Sequence, residues 1–308
     1  MSSTSLKMPS RPDKMDKPIS YGTLYVVATP IGNLEDITFR AVKILKTVDL
    51  IAAEDTRHSK KLLAHYGIET RLISCHEHNE ADKTPLFISH LKNGLNIALI
   101  SDAGTPTISD PGYHLVRAAA KENIPVIPIP GCSAAMAGLS VSGLPTDAFH
   151  FSGFLPKKKE KLKQAIELLK NQKATLIIYE SPRRIKSLIE TILPILGDRR
   201  ACLTREITKL HEEYIRGCLS EIHGILNEKE AIKGECSLFV QGCGSEDVVM
   251  DEEAFETIVF ERLSKTELGT SDLSKNISKE FKLNKKQVYD LILKFKKLKG
   301  GKNVPPFR

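Results

Sequence analysis

The feature that most constrains the fold is an alternation of short apolar segments and amphipathic segments between residues 23 and 130. Five apolar runs, four of them rich in β-branched residues, leucine or alanine, predict strands at residues 24–28, 48–53, 72–74, 96–100 and 125–130. Alternating strands and helices are typical of a mostly parallel sheet covered by helices. The fifth run, PVIPIP, contains three prolines, which favour an edge strand or a strand end.

Capping residues place the helices between these strands. Asp36 or Thr38 is the expected N-cap of the first helix, and Gly67 is expected to end the second. The dipeptide Asp110-Pro111 predicts a further helix, with Asp110 as N-cap and Pro111 in the first helical position.

A second series of elements follows a Gly/Pro-containing turn near residue 145. Strands are predicted at 149–154, 175–179, 200–204 and 237–241, and helices at 157–171, from Ser181-Pro182 onward, and near 220–227. Residues 252–298 have the pattern of helices only. The sequence therefore predicts an α/β protein with a disordered tail (1–20), an N-terminal α/β domain (21–145), a C-terminal α/β domain (146–245) and a basic helical, helix-turn-helix-like tail (246–308).

The net charge of +7 is concentrated at one end of the chain. Residues 276–308 contain ten basic and two acidic side chains, so the rest of the chain is close to neutral. No apolar run approaches the roughly 18 residues that a membrane-spanning helix needs. The polar start lacks the hydrophobic stretch of a secretory signal, and the six cysteines show no paired spacing. We therefore expect a cytoplasmic protein with no membrane association.

Polar and small residues follow each predicted strand of the first series. These strand-end loops are residues 29–34, 54–58, 75–80, 101–106 and 131–134. Because ligands of parallel α/β sheets bind at the carboxyl ends of the strands, the five loops are expected to meet at one site. A glycine or proline after any one strand is more often only a turn, but five such loops at one edge favour a binding site.

Several common chemistries are not indicated. The chain has neither GxxxxGK[ST] nor a GxGxxG after the first strand, which argues against a P-loop or an ordinary dinucleotide site. His76 and His78 could share a strand face and bind a metal, but a third ligand is missing, so no metal is expected. The segment 131–135 lacks the second glycine of a nucleophile elbow.

The same loops resemble a known family. TPIGNLEDIT, EDTRHS, HEHN, SDAGTPTISDPG, PGCSAAMAGL, FSGFLP, YESPRRI and LTREITKLHEE are similar, in this order, to signature segments of the small-subunit rRNA cytidine 2′-O-ribose methyltransferases. That family lies within the tetrapyrrole-methylase-like (class III) methyltransferases. The resemblance covers about residues 20–245.

The resemblance implies two α/β domains with a ligand cleft between them, S-adenosylmethionine in that cleft, and a homodimer. It implies methylation of the ribose 2′-hydroxyl of a decoding-centre cytidine in 16S rRNA of the small ribosomal subunit. The positions that it assigns to the cofactor are Thr29, Pro30, Gly32, Asn33, Asp102, Gly104, Thr105, Ser133, Ala134, Glu180 and Pro182.

Methylation of a hydroxyl benefits from a base that removes its proton. The candidates are Glu54, Asp55, His76, His78 and Glu206. We favour the loop of Glu54 and Asp55, with Arg57 binding a phosphate by its planar fork. The alternative is that Asp55 and Arg57 pair with each other and only shape the loop.

Basic residues near the expected cleft are candidates for the RNA contact, together with the two histidines. This set comprises His76, His78, Lys157, Lys158, Lys159, Arg183 and Arg184. The alternative to RNA contact is that the lysines only form a solvated helix face. Two other functions stay open: a class III methylase of a small molecule such as a porphyrinoid, and a non-catalytic RNA-binding protein with a degenerate cleft.

Overall fold

The structure is a computed structural model that describes residues 21–244, 256, 259–263, 266, 268–280 and 285–300. The chain divides into two compact units after Gln241. The expected disordered tail (1–20) and part of the predicted helical tail (246–308) lie outside the described residues.

The first sheet of the first unit is fully parallel, where the sequence predicted a mostly parallel sheet. Its strands are β1 (Leu24–Val27), β2 (Leu50–Ala53), β3 (Leu72–Ser74), β4 (Ile97–Ile100) and β5 (Val126–Ile129), in the order β3-β2-β4-β1-β5. Strands β2 and β4 are buried throughout because helices cover both faces. The proline-rich β5 is an edge strand, where a missing N–H costs no ladder bond.

Five helices accompany this sheet. They are α1 (Phe39–Thr47), α2 (Thr56–His65), α3 (Glu80–Lys92), α4 (Tyr113–Lys121) and α5 (Ala134–Ser142). Thr38 is the N-cap of α1, since its hydroxyl accepts the Ala41 N–H at 3.0 Å. Helix α3 was not predicted from the sequence, because it contains Pro85 and lacks a clear apolar stripe.

The predicted N-cap role of Asp110 is wrong. Helix α4 begins at Tyr113, after Gly112 with φ +119°. The buried Glu80 of α3 provides the acceptor instead, since its Oε1 accepts the Leu115 N–H at 3.1 Å. Asp110 is thereby left out of the helix.

The second sheet is mixed. Its strands are β6 (Phe149–Phe154), β7 (Thr175–Glu180), β8 (Arg200–Arg205), β9 (Glu213–Cys218) and β10 (Cys236–Val240), in the order β6-β7-β10-β8-β9. β6 and β7 pair in parallel and the other pairs are antiparallel. β9 was not predicted; it is an edge strand whose short alternating pattern is interrupted by Gly217.

Three helices follow the strands of this sheet: α6 (Lys159–Leu169), α7 (Ile185–Leu196) and α8 (Leu219–Glu228). Helix α7 does not open at Ser181-Pro182 as predicted. Residues 181–184 form a turn, and the helix begins at Ile185. The turn leaves Ser181 and Pro182 free to face a neighbouring cavity.

Helix α5 joins the two sheets. It follows β5 in the chain, yet its buried residues Ala135 and Leu139 pack against Ile177, Cys202 and Phe239 of the second sheet. Gly138 permits the close approach, because a Cβ there would lie 2.3 Å from Phe239 Cζ. The docking of α5 therefore fixes the second sheet against the loops of the first.

The second unit is helical where it is described. It contains α9 (Thr270–Glu280) and α10 (Lys285–Gly300), and a small core that includes Val259, Ile277 and Ile292. Among the described residues no helix is long and apolar enough to cross a membrane.

Gly138→Ala tests the docking of α5. Alanine favours a helix over glycine by roughly 1 kcal/mol, but here its methyl group would overlap the buried Phe239 ring. We expect a loss of about 1–3 kcal/mol in the free energy of unfolding, measured with urea. Gly224→Ala in α8 is the matched control, since nothing lies within 4 Å of a Cβ there. Equal effects at both positions would contradict the account.

Candidate active site

A cavity of about 350 Å³ lies between the loops of the first sheet and the strand ends of the second. Ligand pockets in proteins occupy about 300–1,000 Å³. Small residues and apolar side chains form most of the wall. The lining residues are Ile31, Ala103, Gly104, Thr105, Ile108, Ser109, Asp110, Ser133, Ala134, Phe154, Tyr179, Glu180, Ser181, Pro182, Glu235, Cys236 and Ser237.

The loops after β1, β4 and β5 are tied together on one side of the cavity. The Thr29 N–H donates to Gly104 O at 2.9 Å, and the Gly104 N–H donates to Thr29 O at 3.0 Å. Gly104 has φ +80°, which suits glycine. The Thr105 hydroxyl donates to Cys132 O at 3.0 Å. The strand-end loops thus converge, as the parallel sheet predicts.

A strained segment forms the next part of the wall. Thr107 and Ser109 have φ of +73° and +67°, in the left-handed region that such residues rarely occupy. Ser109 packs against Gly153 of β6, where an added Cβ would lie 2.7 Å from Ser109 Oγ. Strained backbone concentrates at functional sites, and here it turns Ile108 and Asp110 towards the cavity.

The second sheet supplies an aromatic wall. The Tyr179 ring makes edge contacts with Phe151 and Phe154, with ring centres 5.0 and 5.7 Å apart. Its hydroxyl hydrogen-bonds Ser133 and Ala135 at the start of α5, while burial raises the pKa of Tyr179. Tyr179 therefore connects β7 directly to the loop after β5.

Glu180 is buried at the end of β7. Its Oε1 accepts the Ser181 N–H at 2.7 Å, and its Oε2 lies 3.3 Å from Arg184 Nη2. The same guanidinium donates to Pro156 O at 3.2 Å. Arg184 thus holds the ends of β6 and β7 together, and Arg183 beside it is exposed.

A cluster of carboxyl groups lies beside the cavity. Glu54 Oε2 accepts the Asp102 N–H at 3.2 Å, and Asp102 Oδ1 accepts the Asp55 N–H at 3.1 Å. Burial raises the pKa of Glu54, and the charges of Asp102 and Asp55 raise it further. Burial also raises the pKa of Asp110 to about 6, with smaller contributions from the charges of Glu54 and Asp102.

Asp55 and Arg57 adopt the arrangement that the sequence left as the alternative. Asp55 is the N-cap of α2, and its Oδ1 accepts the Arg57 N–H at 2.8 Å. The Arg57 guanidinium donates from Nε and Nη2 to the same carboxylate, at 3.2 and 2.8 Å. These hydrogen bonds hold the pKa of Asp55 well below its ordinary value.

The two histidines have different surroundings. His76 is half-buried, and its Nε2 lies 3.0 Å from Asn79 Nδ2. His78 is exposed, with its ring centre 6.1 Å from that of His76. In the part of the chain that the structure describes, no group of three or more His, Cys, Asp or Glu side chains is placed to hold a metal ion.

The expected cofactor residues fall into two groups. Gly104, Thr105, Ser133, Ala134, Glu180 and Pro182 line the cavity, whereas Thr29, Pro30, Gly32, Asn33 and Asp102 do not. In the second group, Asn33 and Gly32 contact a neighbouring segment of the chain. The Asn33 N–H donates to Thr208 Oγ1 at 3.0 Å, and a Cβ on Gly32 would lie 2.4 Å from Lys209 Cγ.

Sequence reasoning missed several lining residues. Ile108 and Ser109 stand in the quoted SDAGTPTISDPG segment, but only the structure, with its strained backbone at Thr107 and Ser109, places them in the cavity wall. Tyr179, Glu235 and Cys236 become neighbours of the first sheet only through the docking of α5, which no local pattern predicts.

The cavity fits S-adenosylmethionine in its charge. Its charged lining side chains are the acids Asp110, Glu180 and Glu235. S-adenosylmethionine carries a sulfonium in addition to its zwitterionic amino-acid end, so it is a net cation. Opposite charge at short range favours binding of such a ligand, whereas a phosphate-bearing ligand would be repelled.

Known proteins resemble this chain over most of its length. The family model of Tetrapyrrole (Corrin/Porphyrin) Methylases matches residues 23–223. Proteins called ribosomal RNA small subunit methyltransferase I are 54% identical in Halalkalibacterium halodurans (77% of this chain, 81% of that one) and 45% identical in Bacillus subtilis (87% and 93%).

Solved structures share the fold. Uroporphyrin-III-C-methyltransferase from Thermus thermophilus superposes with a TM-score of 0.52 at 20% identity, over 71% of this chain and 94% of that one. Diphthine synthase gives 0.54 at 13% identity, over 71% and 90%.

The chain therefore belongs to the tetrapyrrole (corrin/porphyrin) methylase family. It is a methyltransferase, and its methyl donor is S-adenosylmethionine.

Ala134→Leu tests the cavity as the cofactor site. The larger side chain would occupy space beside Ser133 and Tyr179, so we expect at least a tenfold weaker affinity for S-adenosylmethionine by calorimetry, equivalent to about 1.4 kcal/mol. Ser140→Leu, on the exposed side of the same helix, is the control and should bind normally. Equal affinity in the two variants would place the cofactor elsewhere.

Proposed function

We propose that this methyltransferase modifies RNA of the small ribosomal subunit, and that its target is the ribose 2′-hydroxyl of a decoding-centre cytidine in 16S rRNA. The observation that carries the proposal is the similarity, at 45% identity over 87% of the chain, to a protein called ribosomal RNA small subunit methyltransferase I. The cytidine and the ribose oxygen come from the resemblance of the strand-end segments. We place the reaction in the cytoplasm and propose that the enzyme acts as a homodimer.

The chemistry is an in-line displacement. When bound, S-adenosylmethionine supplies an electrophilic methyl group. The ribose oxygen forms the new C–O bond while the C–S bond breaks and its electron pair stays on sulfur. Alignment of the reacting atoms is worth roughly 7–11 kcal/mol, so rigid walls matter more here than reactive side chains.

Glu54 is the acid of the favoured loop that suits proton removal. Asp55 is held by Arg57 and by its capping role, and Glu206, another candidate, pairs with Lys209 at 2.9 Å. Among the described residues the Glu54 carboxylate has only the Asp102 N–H as its hydrogen-bond partner, and the pKa of Glu54 is raised. A base closer in pKa to the working pH transfers protons more effectively. Glu54 would take the hydroxyl proton as the methyl group moves.

The polar surroundings of the cavity would position the RNA. Lys157, Lys158 and Lys159 are exposed where β6 leads into α6, and Arg183 is exposed after β7. These four cations adjoin Pro156 and Pro182, at the cleft end of the second sheet. Arg57 is 89% exposed but already paired with Asp55, so we assign it to the shape of the loop.

Methylation of 30S subunits with labelled S-adenosylmethionine tests the proposed target. Digestion to nucleosides should place the label on the ribose of a single cytidine. Label on a base, or label found only on a porphyrinoid offered in parallel, would contradict it. Failure to bind the cofactor would favour the non-catalytic alternative instead.

Glu54→Gln and Asp55→Asn separate the two acids of the loop. Glu54→Gln should bind S-adenosylmethionine but lose about 10²–10⁴-fold in methylation rate, the usual contribution of a positioned base. Asn still caps a helix, so Asp55→Asn should stay close to wild type. Wild-type methylation should fall as the pH drops through the raised pKa of Glu54. Full activity of Glu54→Gln would remove Glu54 from catalysis.

The lysine cluster is tested by the salt dependence of RNA binding. Replacing Lys157, Lys158 and Lys159 with Gln should lower the slope of log affinity against log salt by about one for each phosphate that these lysines neutralise in the wild-type complex. Lys46→Gln and Lys121→Gln, at helix ends on the opposite edge of the first sheet, are the controls. An unchanged slope in the triple variant would mean that these lysines only form a solvated helix face and do not contact RNA phosphates.

A further inference from the structure

Three acids line the cavity, and they differ in whether a basic side chain balances their charge. Glu180 is compensated: its carboxylate accepts the Ser181 N–H at 2.7 Å and lies 3.3 Å from the Arg184 guanidinium. Its charge is therefore balanced by the protein itself before any ligand binds. The other two acids are Asp110 and Glu235.

Glu235 is also compensated. Its Oε2 lies 3.2 Å from Lys209 Nζ, which in turn lies 2.9 Å from Glu206 Oε1. The Glu235 side chain is 78% exposed, so water screens the part of its negative charge that Lys209 does not balance. It therefore exerts little net attraction on a cation in the cavity.

Asp110 has the opposite environment. It is half-buried, and its carboxylate hydrogen-bonds the neutral Ser101. The charged groups that act on it are the carboxylates Glu54, after β2, and Asp102, after β4, and from the second sheet the neutral Tyr179 faces it. No basic side chain is among the cavity-lining residues that the structure describes. The charges of these described neighbours thus add to the negative potential around Asp110 rather than balance it.

We propose that Asp110 is the counter-charge for the sulfonium of the methyl donor. The amino-acid end of S-adenosylmethionine balances its own charges, so the sulfonium is the charge that needs a partner. Of the three acids in the cavity, Asp110 is the one whose charge is left for a ligand. The inference deepens the proposed function: it rests on the cavity as the methyl-donor site and not on the RNA target.

The arrangement discriminates donor from product. S-adenosylhomocysteine has the same adenosine and amino-acid groups but an uncharged sulfur. Once the methyl group has moved to the acceptor oxygen, the attraction to Asp110 disappears. The used cofactor is then held less tightly than the fresh one, which favours exchange.

Calorimetric binding to the full chain without RNA tests the proposal. Three ligands are compared: S-adenosylmethionine, S-adenosylhomocysteine, and sinefungin, which carries an ammonium group where the cofactor carries the sulfonium. The two cationic ligands should bind wild type more tightly than S-adenosylhomocysteine. Asp110→Asn should weaken the binding of both cationic ligands by about tenfold or more. It should change the affinity for S-adenosylhomocysteine little. Retained S-adenosylhomocysteine binding also shows that the variant is folded.

Glu235→Gln is the matched control, because it removes a cavity carboxylate that already has a partner. It should leave the ratio of the S-adenosylmethionine and S-adenosylhomocysteine affinities unchanged. An equal loss for all three ligands in Asp110→Asn would assign Asp110 to the ammonium end or to the fold, and would overturn the proposal. So would the absence of any change.

The wild-type protein gives a second test that needs no variant. A cation beside Asp110 lowers its pKa from about 6, so protons compete with the cationic ligand. The affinity for S-adenosylmethionine should be full above pH 6 and fall as the pH drops through and below it. The affinity for S-adenosylhomocysteine should not follow the same fall. Parallel pH profiles would contradict the proposal, whatever the outcome of RNA methylation.

Discussion

The packing of helix α5 on the second sheet is the contact on which the site depends. Ala135, Gly138 and Leu139 lie against Phe239 and its neighbours, although α5 follows the last strand of the first sheet. This contact places Ser133 and Ala134, at the helix start, opposite Tyr179. The cavity needs this contact, because its lining residues come from both sheets. The cavity thus depends on α5, which follows the first sheet in the chain but packs on the second.

Charge is separated in this protein between the cavity and its margin. The cavity is acidic, which suits a cationic methyl donor, while Lys157–Lys159 and Arg183 at its margin are basic and exposed. A net charge near zero over most of the chain conceals this division. Phosphates of the proposed RNA substrate would be attracted to the margin and repelled by the interior, so that substrate would present its ribose to the cavity and keep its backbone outside.

The sequence predicted the first sheet well because a parallel sheet has strong local signals. Buried strands such as Ile97–Ile100 are continuous apolar runs, and the loops after them carry unusual polar residues. Six of the eleven positions that the family resemblance assigns to the cofactor line the cavity, and four of them, Gly104, Thr105, Ser133 and Ala134, follow strands of this sheet.

The missed features depend on tertiary structure. Asp110 has the sequence of a helix cap, but a buried glutamate 30 residues earlier, Glu80, takes the capping role. Glu235 and Cys236 reach the cavity only because α5 docks beside their strand. The mutual pairing of Asp55 and Arg57 depends on rotamers that spacing alone does not fix, so sequence could only leave it as an alternative.

Hydrogen exchange of the full chain, with and without S-adenosylhomocysteine, tests the central claim that one cofactor bridges both sheets. The account predicts simultaneous protection of residues 103–110 and 133–135 from the first sheet and of 179–182 and 235–237 from the second. Protection confined to one sheet, or to the helical second unit, would contradict it.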